Sequence, residues 1–451
     1  MPSPFLRVLT LALLLVAGAA CSTPETTEPG PPNIVILFAD DLGYGDLSSY
    51  GHPTIHTPRL DRMAQEGIKL TAFYVAAAAC SPSRAALLTG RYPIRSGMVH
   101  VLGPDAEHGL PASEVTLAEA LKTQGYRTSA IGKWHLGAQD GYFPTDHGFD
   151  AYFGLLYSND MMPPWVQTQR SLELWRNTEP IEHPVDQTTL TKRYTEEAVQ
   201  FIRDAKDGPF FLYLAHSMPH VPLFRSDDFV GRSKGGLYGD VIEEIDWSAG
   251  RILDVLDEEG LADNTIVVFT SDNGPWSEMP DRMFQEDKVK PWDAGSTGPL
   301  RGTKHTTYEG GHRVPGIAYW PGRIPPGQIS AELTTAMDLY TTLLTLAGAE
   351  VPQDRPVDGK DIMALLEGRA ASSHDVFYYF RNDRLHAARD AAWKLRIRQP
   401  DPAQAATPEL YDLSIDPYER FNVAEDHPAV VERLQAQMTA FAEETGAAVD
   451  Y

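Results

Sequence analysis

The sequence predicts an α/β protein: a large, mostly parallel sheet between helices, with a smaller C-terminal α+β subdomain. Two observations carry this. Residues 33–38, 210–214 and 265–270 are β-prone runs without a single charge. Strands that are apolar on both faces belong to buried parallel sheets. Helical stretches separate them, at 58–66, 113–124, 189–204 and 239–259. Strands alternating with helices build a doubly wound sheet.

In chain order, residues 1–20 come first. One cation, Arg7, precedes an apolar stretch from Val8 to Ala20. That pattern reads as a secretory signal, and it is too short for a comfortable membrane span. Gly18-Ala19-Ala20-Cys21 resembles a bacterial lipoprotein cleavage site, with Gly18 where a branched apolar residue is usual. Cys21 is therefore the expected lipidation site, with plain secretion as the alternative. Residues 21–32 are rich in Thr, Glu, Pro and Gly, as a tether would be. The folded part is expected in the periplasm or at the outer membrane, touching the membrane only through the lipid.

The large domain is expected over 33–370. Each apolar run ends in polar residues: Asp40-Asp41, His216-Ser217 and Asp272-Asn273. Ligands of such sheets bind outside the carboxyl ends of the strands. Past residue 370 the pattern changes to short strands, clearest at 375–381 and 391–398, and a helix at 428–444. This is the C-terminal subdomain, 371–451.

The chain of 451 residues holds 38 Lys and Arg against 62 Asp and Glu, a net charge of −24. That excludes a non-specific nucleic-acid binder, which needs a basic face. An anionic substrate would need a local cationic pocket. Candidates are Arg84, Lys133, His135, His220 and Lys304. Arg84 lies four residues after Cys80, on one face if the segment is helical. Lys133 and His135, two apart, would share a side of an extended segment. Asp40, Asp41, Asp272 and Asn273 offer four oxygen ligands and no nitrogen or sulfur. Such a set suits a hard cation, Ca²⁺ ahead of Mg²⁺.

Only two cysteines occur, Cys21 and Cys80. With Cys21 in the leader, Cys80 has no partner for an internal disulfide. A buried structural thiol is the ordinary alternative. Cys80 opens the run Cys80-Ser81-Pro82-Ser83-Arg84, and this resembles the signature of type I sulfatases, of the arylsulfatase A and N-acetylgalactosamine-6-sulfatase kind. The likeness extends from Asn33 to about Val423. It includes Phe38-Ala39-Asp40-Asp41-Leu42-Gly43, Gly132-Lys133-Trp134-His135-Leu136-Gly137, Leu156-Tyr157-Ser158-Asn159-Asp160, Met218-Pro219-His220, Ser271-Asp272-Asn273-Gly274 and Leu410-Tyr411-Asp412-Leu413. His305 after Lys304 departs from the pattern, where small residues are common.

The resemblance implies an alkaline-phosphatase-like fold and hydrolysis of sulfuric esters. It implies that Cys80 becomes Cα-formylglycine through a formylglycine-generating enzyme. The aldehyde hydrate would then attack sulfur, with Asp272 taking its proton. It further implies that Asp40, Asp41, Asp272, Asn273 and modified Cys80 hold Ca²⁺. Lys133, Lys304 and Ser158 would contact the sulfate, and His220 with Lys304 would protonate the leaving group. His135 would assist release of sulfate and Arg84 would hold the hydrate. Sulfuryl transfer parallels phosphoryl transfer, where positioning and charge neutralisation dominate.

The expected substrate is a sulfated saccharide, with aryl sulfates accepted. Trp165, Trp175, Trp276 and Trp292 are candidates for stacking on sugars. Two other readings stay open. One is a phosphonate or phosphate monoester hydrolase on the same scaffold. The other is a surface lipoprotein that binds sulfated glycans without turnover.

Overall fold

The computed structural model describes Met1, residues 30–398 and residues 406–449. The leader and Cys21 lie outside the described residues. No described helix is long and apolar enough to cross a membrane.

Eleven strands make the large sheet: β1 (Asn33–Ala39), β2 (Ile68–Tyr74), β3 (Arg127–Lys133), β4 (Ala151–Leu155), β5 (Leu174–Arg176), β6 (Glu179–Glu182), β7 (Phe210–Ala215), β8 (Thr265–Ser271), β9 (Arg313–Tyr319), β10 (Gln328–Ser330) and β11 (Thr334–Thr335). Their order is β10-β2-β9-β8-β1-β7-β3-β4-β5-β6, with β11 also on β2. The three strands legible as apolar runs, β1, β7 and β8, are adjacent at the centre and wholly buried. Pairing is parallel from β8 through β1, β7 and β3 to β4. It is antiparallel where β9 lies between β8 and β2, and at β4-β5-β6. The sheet is therefore mixed, with a parallel centre.

Helices Leu190–Ala205 and Gly236–Glu258 fall within a few residues of the expected ranges. The helix expected at 113–124 is shorter, Leu117–Lys122. Its start is fixed by a capping box, in which Thr116 accepts from the Glu119 N–H and Glu119 accepts from the Thr116 N–H.

The second sheet joins β12 (Phe377–Arg381), β13 (Arg384–Arg389), β14 (Trp393–Arg398) and β15 (Thr407–Asp412) in antiparallel order, with β16 (Ala448–Val449) parallel on β13. Helix Pro428–Thr445 places Leu434, Met438 and Phe441 against this sheet. The resulting core also takes in Tyr74, Ala86, Tyr92 and Met337 from the larger part. The two sheets thus share buried apolar surface. A polar link adds to it: buried Glu309 accepts from Lys394 Nζ at 3.0 Å and from the Tyr379 hydroxyl at 2.7 Å.

Candidate active site

The site forms where β1, β8, β3 and the loop after β7 end together. In an extended strand, neighbouring side chains face opposite ways. At Asp41, φ is +64°, which breaks the alternation and lets Asp40 and Asp41 serve one site. The turn is held by β8: the Asp41 N–H donates to Asp272 Oδ1 at 3.0 Å and the Leu42 N–H to Ser271 Oγ at 2.9 Å. Asp46, not singled out in the sequence, braces the same turn. It accepts from the Gly43 N–H, the Ser296 N–H and the Tyr238 hydroxyl. Burial pushes its carboxyl up to about 7.

Cys80 is the first residue of helix Cys80–Thr89, all ten residues of which are buried. Its Sγ lies 3.2 Å from Lys304 Nζ and 3.7 Å from Asp40 Oδ1. Burial pushes the thiol up to about 12, against the pull of Lys133 and Lys304. One turn on, Arg84 donates from Nε and Nη2 to Asp272 Oδ2 at 3.1 and 2.8 Å, and from Nη1 to the Lys133 carbonyl at 2.8 Å. The i, i+4 relation read from the sequence holds.

Lys133 ends β3 and donates from Nζ to Asp40 Oδ2 at 2.7 Å and to Ser158 Oγ at 3.2 Å. Lys304 Nζ donates to Asp41 Oδ2 at 2.9 Å. Burial disfavours its charge, but Asp41, Cys80, Asp40 and Asp272 together outweigh that and hold the ammonium above its ordinary range. His220 Nε2 is 3.4 Å from Ser158 Oγ and 3.6 Å from Asp41 Oδ2. Its Nδ1 sits 2.6 Å from the Val221 carbonyl, so the proton of the neutral ring belongs on Nδ1. Burial, aided by Lys304, keeps His220 well below the usual histidine range.

His135 departs from the expected arrangement. Its φ is +60°, so the extended alternation stops before it, and Nε2 turns to the Leu102 carbonyl at 2.8 Å. It hydrogen-bonds none of the other candidates, yet its Nδ1 is buried without a partner. Burial and Lys133 push it well below the usual range.

The donor set fits a hard cation. Oxygens of Asp40 and Asp272 with Cys80 Sγ, and atoms of Asp41 and His220 with Cys80 Sγ, form two groups whose members lie within 4.8 Å of one another. Asn273 Oδ1 is buried with no hydrogen-bond partner, the mark of an acceptor reserved for something else. Three carboxylates (Asp40, Asp41, Asp272) face three fixed cations (Arg84, Lys133, Lys304). The pocket alone is near neutral, and a divalent cation would make it positive enough to hold an anion.

Of the four tryptophans, Trp276 flanks the site, with its ring 5.7 Å from that of His220 and Lys304 Nζ 4.9 Å above it. Trp175 packs on Phe143. Trp165 is buried beside the Arg282 side chain, and Trp292 is exposed, 75% of its surface being open.

A buried oxygen-rich centre with matched cations beside a buried cysteine suits hydrolysis of an anionic ester. The sequence matches the family model described as Sulfatase over residues 32–349, and that described as N-sulphoglucosamine sulphohydrolase, C-terminal, over residues 303–444. It is 44% identical over 399 residues to N-acetylgalactosamine-6-sulfatase of Sus scrofa, covering 83% of this chain and 73% of that protein. It is 40% identical over 390 residues to arylsulfatase G of Mus musculus, covering 78% and 72%. The crystal structure of the PsFucS1 sulfatase from Pseudoalteromonas sp. superposes with a TM-score of 0.81 at 31% identity, covering 92% of this chain and 90% of that one. The chain belongs to the type I sulfatase family and is a hydrolase of sulfuric esters.

Proposed function

We propose that this chain releases sulfate from a sulfated sugar, with Cys80 converted to Cα-formylglycine and a Ca²⁺ ion held by Asp40, Asp41, Asp272, Asn273 and residue 80. The observation that carries this reading is the placement of Cys80, whose Sγ lies 3.2 Å from Lys304 Nζ and 3.7 Å from Asp40 Oδ1, grouped with Asp40 and Asp272. Burial also pushes its thiol up despite Lys133 and Lys304, which disfavours the thiolate that a catalytic cysteine needs. When formed, the modified side chain supplies an oxygen nucleophile and the cation neutralises charge on the sulfate.

The remaining chemistry falls to this chain's own residues. Lys133, Ser158 and Lys304 bind the sulfate oxygens. Asp272 lies on the nucleophile side, where it receives a proton while Arg84 holds its other face. Protonated His220 is a strong acid because burial and Lys304 disfavour its charge. With Lys304 it hands a proton to the leaving oxygen. His135, its Nε2–H fixed on Leu102, offers the unpartnered Nδ1 as a proton acceptor for sulfate release.

The name of the porcine relative makes N-acetylgalactosamine 6-sulfate the first sugar to try. Residues 1–20 are proposed as the signal, 21–32 as a tether lipidated at Cys21, 33–370 as the catalytic domain and 371–451 as the C-terminal subdomain. The protein would then sit in the periplasm or at the outer membrane. Its conversion would need a formylglycine-generating enzyme.

Free sulfate should be measured from a panel of sulfated sugars and one aryl sulfate, beside a phosphonate ester, together with the peptide mass at position 80. Sulfate release by protein carrying the aldehyde mass is expected. Faster turnover of the phosphonate than of every sulfate would overturn the reading. A second expectation concerns the cation. A ligand that binds only the folded state stabilises it by about 2.7 kcal/mol at one hundred times its Kd. Ca²⁺ added to chelator-treated protein should therefore raise the unfolding temperature by several degrees, and Asp41→Asn should abolish that rise.

A further inference from the structure

Beside the sulfate-side residues lies a second cavity of about 230 Å³, bordered by Lys304 and His305 on one side and by Arg381, His386 and Arg396 of the small sheet on the other, with Glu278 also on its wall. Lys304 belongs to both places: its ammonium is 3.2 Å from Cys80 Sγ, and its side chain forms part of this wall. The cavity therefore opens next to the reacting position.

The charges lining it are not equivalent. Lys304 is matched by Asp41 at 2.9 Å. Arg396 is pinned by Glu409 at 2.8 Å and by the Tyr308 hydroxyl at 3.2 Å, with its plane over the Tyr308 ring. Arg381 stands apart. It ends β12 just before the turn at Asn382, where φ is +56°. Among the described residues no side chain forms a hydrogen bond or ion pair with its guanidinium. Glu278 likewise has no partner among them, and the two do not pair with each other. An exposed guanidinium and an exposed carboxylate share one cavity and leave each other free.

We propose that this cavity is a subsite for an acidic sugar unit, next to the unit that loses its sulfate: Arg381 receives its carboxylate or sulfate and Glu278 accepts from its hydroxyls. This rests on the sulfated-sugar reading above. A planar guanidinium matches either oxyanion in a bidentate fork. In a chain of net charge −24, an unmatched Arg381 offers a polyanionic glycan local attraction that the net field does not. The departure at His305 acquires a place as well, since this residue forms part of the wall between the reacting centre and the subsite.

The test compares wild type, Arg381→Ala and Arg381→Lys on one sulfated hexosamine joined to a uronic acid, to a sulfated neutral sugar or to an unsulfated neutral sugar. The ratio of kcat/KM for an acidic over the neutral neighbour should fall about tenfold in Arg381→Ala, through KM, and recover in part in Arg381→Lys. In wild type it should shrink as salt is raised. Whichever acidic neighbour loses more identifies the anion. An unchanged ratio in Arg381→Ala overturns the proposal. Calorimetric binding of the unsulfated uronic-acid disaccharide separates this from the parent reading. Binding weakened about tenfold in Arg381→Ala upholds the subsite even where no sulfated sugar is turned over, and absence of binding to wild type overturns it.

Discussion

Cys80→Ala is expected to release sulfate at least about 10⁴-fold more slowly than the converted enzyme, the scale of loss on removing a nucleophile. The fold should survive. Cys80 is buried and contributes a small side chain, so the stability lost is about 1 kcal/mol. Wild-type protein that retains the thiol should be equally inert. Burial pushes the thiol up, and the pull of Lys133 and Lys304 does not bring it back to the ordinary cysteine range. Sulfate release and thermal unfolding, measured on converted, unconverted and Cys80→Ala protein, check the expectation. Activity in the unconverted form within tenfold of the converted form would remove the need for an aldehyde.

The candidate site was legible in part because some of its residues sit at the ends of charge-free strands. Asp40, Asp41, Asp272 and Asn273 follow β1 and β8 directly, and His220 lies five residues beyond β7. Strands β2, β3 and β9 gave no such signal. β3 reads Arg127-Thr-Ser-Ala-Ile-Gly-Lys133, and it is buried through small and hydroxyl residues between β7 and β4 rather than through bulk apolar ones. The position of His135 also escaped, because a left-handed residue inside an otherwise extended segment leaves no trace in side-chain alternation. Asp46 and Arg381 were passed over for a third reason. Asp46 acts through Tyr238 and Ser296, and Arg381 becomes relevant only when β12 is folded against the loop at His305. Contacts between residues far apart in the chain are not written in local pattern.

Lys394→Met is expected to cost about 3–5 kcal/mol of stability at neutral pH, the usual penalty for removing one partner from a buried charge cluster. Lys394, Glu309 and Glu419 are all fully buried, and Lys394 Nζ lies 3.0 Å from Glu309 and 2.8 Å from Glu419. Burial pushes the Glu309 carboxyl up, but Lys394, Arg389 and Arg313 outweigh it and hold it well below the usual carboxylate range. A carboxyl lowered in this way contributes stability above its unfolded value, and the contribution is lost as pH falls through its folded value. Glu419 is already held above the usual carboxylate range by burial, against the pull of Lys394, and without Lys394 it would rise further. The gap between variant and wild type should therefore narrow between pH 7.5 and pH 5. Denaturant unfolding at the two pH values checks this, and a gap that stays constant or widens would contradict it. The site should feel the change too. Glu419 accepts the Glu309 N–H at 2.7 Å through its side chain and Arg301 Nη1 at 2.8 Å through its carbonyl. Arg301 begins the segment that carries Lys304 and His305. Loosening the cluster should thus lower turnover beyond what lost folded protein explains, because the ammonium beside residue 80 and the wall facing Arg381 hang from the same anchor.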